Sequence, residues 1–388
     1  MFKGPSNVTD ACDSIELANA IAVGEKHGTQ RDERDMDRMG KLQELRRQFK
    51  FLTVFGFSIL LGNTWPYALI GIGISLYNGG PAGGIWLLVV VCFGMFFVTL
   101  SLAEMVSMAP TAGGQYHWIS EFSPKKYQKI LSYITAEEVK DAAWVSPRAM
   151  ISTSVVSYSL AFTMTVTVFS TMGTNLSEVL ETPLGQPWIQ IVLNATGSIV
   201  ATNVLVVVIC MLLMFSAVNQ VTASSRQLWS FARDQGLPFS TWLSYVPPGF
   251  NIPVNSIVST LVATALLSLI NIGSGIAFNI VIALGSLGLQ SANIIVIGLM
   301  LRKRIAGEPL LPSMFDLGRA GIAVNTIAFL YLLLIIVMIC FPSVPNPALA
   351  DMNWCSVMFG GLLTFAMIYY YFYGRHKYDG PVEYVKQS

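Results

Sequence analysis

The sequence predicts an all-α polytopic membrane bundle of about eight spans. Two observations carry this. Hydrophobic residues make up 53% of the 388-residue chain and charged residues only 12%, against about 25% charged in an ordinary soluble domain. The 23 Lys and Arg residues also fall into five groups, at 3–50, 125–148, 226–233, 302–319 and 375–386, with long apolar stretches between them that hold none. A Lys and Arg excess marks the cytoplasmic side of a membrane. All five groups fit on that side if both termini are cytoplasmic.

The elements follow in chain order. Residues 1–50 form a polar tail rich in both charges, disordered by composition. No cleavable leader is apparent, so the first apolar stretch is expected to stay as a span. A span needs about 20 mostly apolar residues. Eight stretches qualify: 52–75, 85–107, 149–171, 198–218, 253–272, 277–301, 321–342 and 354–373. The membrane domain is therefore 51–374, with a cytoplasmic tail at 375–388. The expected external loops, 76–84, 172–197, 273–276 and 343–353, contain no Lys or Arg. The run Gly79-Gly80-Pro81-Ala82-Gly83-Gly84 reads as a tight external turn. It is not a phosphate loop, since neither a strand nor a Lys-Ser/Thr pair accompanies it. Two glycosylation sequons, at Asn175 and Asn194, fall in the longest external loop. Trp188 and Tyr369-Tyr370-Tyr371 lie near span ends, where interfacial aromatics gather.

Chemistry could sit in four places. The first span carries Gly62, Asn63, Thr64 and Pro66, which weaken the helical ladder and free backbone groups for a ligand; a simple kink or packing face is the other reading. Glu104 is the only ionisable side chain within the eight spans, and such a carboxylate is a functional candidate by default; a helix-end carboxylate reaching the interface is the alternative. The third span holds nine hydroxyls between Ser152 and Ser170. These either line a wet path or bond back to their own helix. Gln290 and Asn293, three apart, line a cavity or tie two helices. The five cysteines and three histidines show no metal or redox spacing, although Cys340 and Cys355 flank one external loop and could pair. No nucleophile–base pair or cofactor motif is present, so neither an enzyme nor a bound cofactor is expected. The net charge of +1 gives no reason to expect a nucleic-acid partner.

Three segments together resemble one family. The first is Asn78-Gly79-Gly80-Pro81-Ala82-Gly83. The second runs from Ser101-Leu-Ala-Glu104 through Pro110-Thr-Ala-Gly113-Gly114 to Trp118. The third is Ala223-Ser-Ser-Arg226-Gln-Leu-Trp229-Ser-Phe231-Ala-Arg233-Asp234-Gln-Gly236-Leu-Pro238. This pattern, from about residue 45 to 378, is similar to the fungal amino-acid/choline permeases (GABA and choline type) of the amino acid–polyamine–organocation superfamily. The resemblance implies a secondary transporter of amino acids or related amines, coupled to protons, in the plasma or vacuolar membrane. It further implies a substrate site at Gly62, Asn63 and Thr64, and a gating or coupling role for Glu104. Arg226, Arg233 and Asp234 would belong to a cytoplasmic loop motif.

The family fold has twelve spans, built on two inverted repeats of five with broken first and sixth helices facing each other. This chain is expected to be an incomplete version. Its first two spans resemble the family's first two, and its last six resemble helices seven to twelve. The junction falls near Thr135–Ala136. Losing four helices leaves the orientation of all later spans unchanged but removes the partner of the Gly62 break. Two other readings follow: a transport-incompetent truncated isoform or gene-model fragment, and a regulatory membrane protein that binds a partner.

Overall fold

The computed structural model describes residues 56, 59, 64–108, 118–119, 122–123, 145–173, 176–183, 186–247, 252–273, 275–311, 313–342 and 352–378. The expected tails at 1–50 and 379–388 and the junction near Thr135–Ala136 lie outside the described residues. Among the described residues all regular structure is helical. Six helices are long and apolar enough to cross a membrane, and a seventh apolar helix, Val254–Ile270, is shorter. The bundle is all-α and polytopic, as expected.

The chain enters as α1, Thr64–Ile70, and α2, Ile72–Met108. The two are nearly continuous, because the Gly71 amide bonds the Tyr67 carbonyl at 2.9 Å and the Gly71 carbonyl accepts from Ser75 at 3.3 Å. Pro66 falls in the first turn of α1, where its missing N–H costs no bond. The start of the first expected span, 52–63, is outside the described residues apart from Gly56 and Ile59. The turn here is tighter than the external loop expected at 76–84. Gly80 alone leaves helical geometry, at φ 62° and ψ −168°, a region that only glycine occupies readily. Pro81 then begins the second arm, where its fixed φ suits a first helical position. The arms fold back on each other, bringing Ser75 Oγ and the Phe169 ring against Gly84, where a Cβ would collide with both.

Next come α3, Val145–Thr171, then α4, Leu176–Leu180, and α5, Pro187–Thr196. The last two fill the expected external loop with packed structure. Trp188, Ile191 and Val192 of α5 are buried with Leu69, Ile72 and Val168. Trp188 therefore closes the core and does not face the interface. Its register explains this: it sits on the same helical face as Ile191 and Val192. α5 ends at Gly197 with φ 60°, and Ser198 caps the next helix by accepting the Ala201 amide.

That next helix, α6, runs from Ile199 to Arg233. At about 1.5 Å per residue it is about 52 Å long, well beyond the expected 198–218 and beyond a hydrocarbon layer of about 30 Å. Its last three turns carry Arg226 and Arg233. A short helix, α7, Ser240–Leu243, turns the chain into α8, Val254–Gly273. α9, Gly275–Ile305, and α10, Gly321–Ile339, follow, with a single 3-10 turn at Gly318–Ala320 before α10. α11, Cys355–Tyr369, passes into a π turn at Tyr370–Gly374 and then α12, Arg375–Lys377. Cys340 and Cys355 are both free thiols.

One core packs α2, α9 and α10 through Val98, Met105, Ile297, Met300, Ala328 and Leu332. A second joins α1, α3, α5 and α6 at the other end. Phe231 of α6 meets Tyr378 edge-on at 5.9 Å, which brings the ends of α6 and α12 together. Arg233, Arg302 to Arg304 and Arg375 to Lys377 all fall in last turns. These turns define a basic end of the bundle.

Candidate functional site

Thr64 opens α1 and is half-buried; Gly62 and Asn63 lie outside the described residues. One turn on from Thr64, the Tyr67 hydroxyl accepts a bond from Gln220 Nε2 at 3.5 Å, and Gln220 also donates to the buried Ser216 at 3.3 Å. These polar groups on α6 are the neighbours of the α1 start. The sequence did not single them out, because one Gln and one Ser inside an apolar helix carry no pattern.

Glu104 sits at the far end of α2 and is fully buried. Its Oε1 pairs with Arg304 Nη2 and accepts the Leu317 amide at 3.0 Å. Arg304 is itself nearly buried, with 6% of its side chain exposed. Its Nη1 donates to the Gly318 carbonyl at 3.0 Å, and its guanidinium lies against Gly321, where any side chain would strike it. One turn beyond Glu104, Ser107 Oγ accepts two amides, Met314 and Phe315, each at 2.9 Å. Asp316 closes a small turn by accepting the Gly318 amide at 2.8 Å. That bond holds the Asp316 carboxyl below its ordinary value of 3.8. Segment 313–318, which links α9 to α10, is thus fastened to α2 by two side chains.

Glu104 is a buried, paired carboxylate one turn before the end of α2. A buried charge is tolerated only with a partner and hydrogen bonds. Its partner was legible in principle, since Arg302-Lys303-Arg304 closes a span on the same expected side as Glu104. Nothing in the sequence marked which of the three cations turns inward, or that Ser107 would be an acceptor.

Arg226, Arg233 and Asp234 lie on or next to the end of α6. Arg233 stacks over the Trp229 ring at 5.1 Å and pairs with Asp234 at 3.7 Å. The Trp229 indole donates to the Ser244 carbonyl at 3.0 Å, and Ser256 of α8 bonds the Leu243 carbonyl at 2.8 Å. This motif builds the corner between α6 and α8. Glu104 and Arg304 form a separate cluster on other helices.

Five hydroxyls of α3 bond backward. Ser159, Thr163, Thr167, Ser170 and Thr171 each donate to a carbonyl four residues earlier, at 2.7–2.9 Å. Ser154 is an exception, reaching Thr99 of α2 at 3.3 Å. Gln290 and Asn293 bond each other at 3.0 Å, and Gln290 contacts Met95 Sδ at 4.0 Å, so this pair ties α9 to α2. Asn194 lies within α5 and accepts from Gln190 at 2.9 Å; Asn175 is outside the described residues. Among the described residues no group of three His, Cys, Asp or Glu side chains could hold a metal.

Six long apolar helices among the described residues indicate an integral multi-pass membrane protein. A family model described as amino acid permease matches residues 130–363, and a second of the same description matches 56–127. The chain belongs to the amino acid permease family. It is 31% identical to an uncharacterized amino-acid permease of Schizosaccharomyces pombe over 258 residues, 65% of this chain and 46% of that protein. It is 24% identical over 440 positions to a putative amino acid/polyamine transporter of Macrophomina phaseolina, covering 78% of this chain and 97% of the relative. With the GABA-specific permease of Saccharomyces cerevisiae it shares 22% identity over 489 positions, 88% of this chain and 84% of the other. The last two alignments are longer than the 388-residue chain, so each relative carries residues with no counterpart here. Family membership points to a transporter, not an enzyme. This chain spans less than half the length of the Schizosaccharomyces pombe relative.

Proposed function

We propose that this chain carries a small amine across the membrane, an amino acid or a polyamine, by proton-coupled secondary transport. The observation that carries this reading is the amino acid permease match across residues 130–363. The names of the relatives suggest the substrate class: one is a GABA-specific permease and one a putative amino acid/polyamine transporter. GABA and a short diamine are therefore the first substrates to try. The substrate site falls at Gly62, Asn63 and Thr64 by family resemblance, with Tyr67 and Gln220 as polar neighbours. Glu104 is the gate residue at the basic end. That end faces the cytoplasm under the rule that Lys and Arg stay inside, which puts both termini there. The plasma and vacuolar membranes are the two candidate locations.

The test is uptake of labelled GABA and labelled putrescine into liposomes holding the purified chain, with and without an inward proton gradient. Saturable uptake that grows with the gradient supports the reading. Uptake no greater than in empty liposomes sinks it for this chain. The residues with no counterpart make a second arm necessary, in which the missing stretch is restored from a relative. Uptake by the restored chain alone would assign this form to the transport-incompetent isoforms.

A further inference from the structure

We propose that segment 313–318 is a strap that closes the basic end of the bundle, and that Ser107 and Arg304 are the residues that position it during transport. This rests on the transport reading above. A linker between two helices needs no ties to a third, yet this one has four bonds to side chains outside itself. Met314 and Phe315 donate to Ser107, Leu317 donates to Glu104, and Gly318 accepts from Arg304. All four use the strap's backbone, so they can be broken and remade without repacking any strap side chain.

The two halves of the strap are held by different chemistry. At its first half, a single neutral hydroxyl accepts two amides, and Met314 beside it is exposed. Ser107 itself is fully buried, so release requires water to enter from the exposed Met314 side and take its place as acceptor. At its second half, the bonds run to a buried ion pair, which is costly to separate. Gly321 adds to this, because its lack of a side chain lets the Arg304 guanidinium lie flat on the start of α10. The strap is therefore built to open from the Met314 end while staying anchored at Leu317 and Gly318. Ser107 is the releasable catch, and Arg304 with Glu104 is the pivot.

Two measurements on the full chain test this. The first is hydrogen–deuterium exchange followed with overlapping peptides across 313–318. Met314 and Phe315 amides should exchange at least tenfold faster than Leu317. Ser107→Ala should speed the first two further and leave Leu317 unchanged. The second is uptake of labelled GABA and putrescine by the Ser107→Cys/Met314→Cys variant, with the cross-link verified by peptide mass. Oxidation should lower uptake at least tenfold, and a reductant should restore it. Ser107→Ala should alter kcat with KM unchanged, and Ser107→Thr, which keeps the hydroxyl, should recover the parent value. The proposal is overturned if the three amides exchange together, or if the cross-linked chain transports as well as the reduced one. If neither the parent nor the reduced variant takes up either amine, the transport reading falls, and the exchange pattern alone then decides whether the strap opens from one end.

Discussion

Glu104 and Arg304 show how a single residue can commit two helices. Removing the carboxylate takes away the direct partner of a buried guanidinium, a change that typically costs about 3–5 kcal/mol. Glu104→Ala is therefore expected to lower the midpoint of thermal unfolding in detergent sharply. Glu104→Gln, which still accepts the Leu317 amide, should fall between it and the parent. Equal midpoints for all three would mean that the pair contributes nothing. Asp316 supplies the pH dependence. Its folded pKa lies below the unfolded one, so the turn it closes is stabilised above the unfolded value and loses that support as pH falls through the folded value. The protection of the Gly318 amide relative to the unfolded chain should accordingly decline as pH falls below the ordinary Asp value toward the lowered folded one. In Asp316→Asn, which keeps the side-chain acceptor without the titration, that acid-side change should vanish. Glu104 was legible from the sequence because it breaks an apolar run. Arg304 was not, since only packing against Gly321 distinguishes it from Arg302 and Lys303.

At the scale of elements, close contacts and bond directions decide what each helix tolerates. Gly94 of α2 lies directly beneath the Tyr331 ring of α10, where an added Cβ would collide with it, while the Tyr331 hydroxyl donates to the Val91 carbonyl at 3.4 Å. Gly94→Val should separate these helices and cost about 1–3 kcal/mol by overpacking, read as a lower thermal midpoint. By contrast, a Thr163→Ala/Thr167→Ala variant of α3 should stay within about 0.5 kcal/mol of the parent and keep its uptake rate. Both hydroxyls bond their own helix, and both residues are exposed on its outer side. A large loss of uptake would restore the wet-path reading. The span positions were legible because apolar length is a strong signal. Helix continuity was less so: α6 runs on past 218 because its end is held by the Trp229 corner, a tertiary contact that hydropathy does not record.

For the whole molecule, the basic helix ends set the expected topology. Arg226, Arg302 and Arg375 each lie near the end of a helix, and the Phe231–Tyr378 contact places two of those ends side by side. A membrane-impermeant amine reagent applied to intact cells should therefore leave Lys303 and Lys377 unmodified, and should label them once the membrane is opened. Labelling of intact cells would invert the proposed orientation. The length of the transcript across the Thr135–Ala136 codons decides completeness: a product longer by about four spans of coding sequence would make this chain a fragment of a full permease. The alternation of basic groups and apolar runs made the architecture readable from sequence alone. Half of the candidate site was not readable in the same way. Its polar neighbours, Tyr67 and Gln220, meet only because α1 packs beside α6.

The joint at Gly80 also bears on how the protein is made. With one residue between the arms of α2, there is no polar loop to drag through the lipid. The two arms can leave the insertion machinery together, as a single greasy hairpin already zipped at Ser75 and Gly84. A tag placed between Gly79 and Gly84 would then act as a wedge during synthesis. The damage would show as lost yield, well before any effect on uptake.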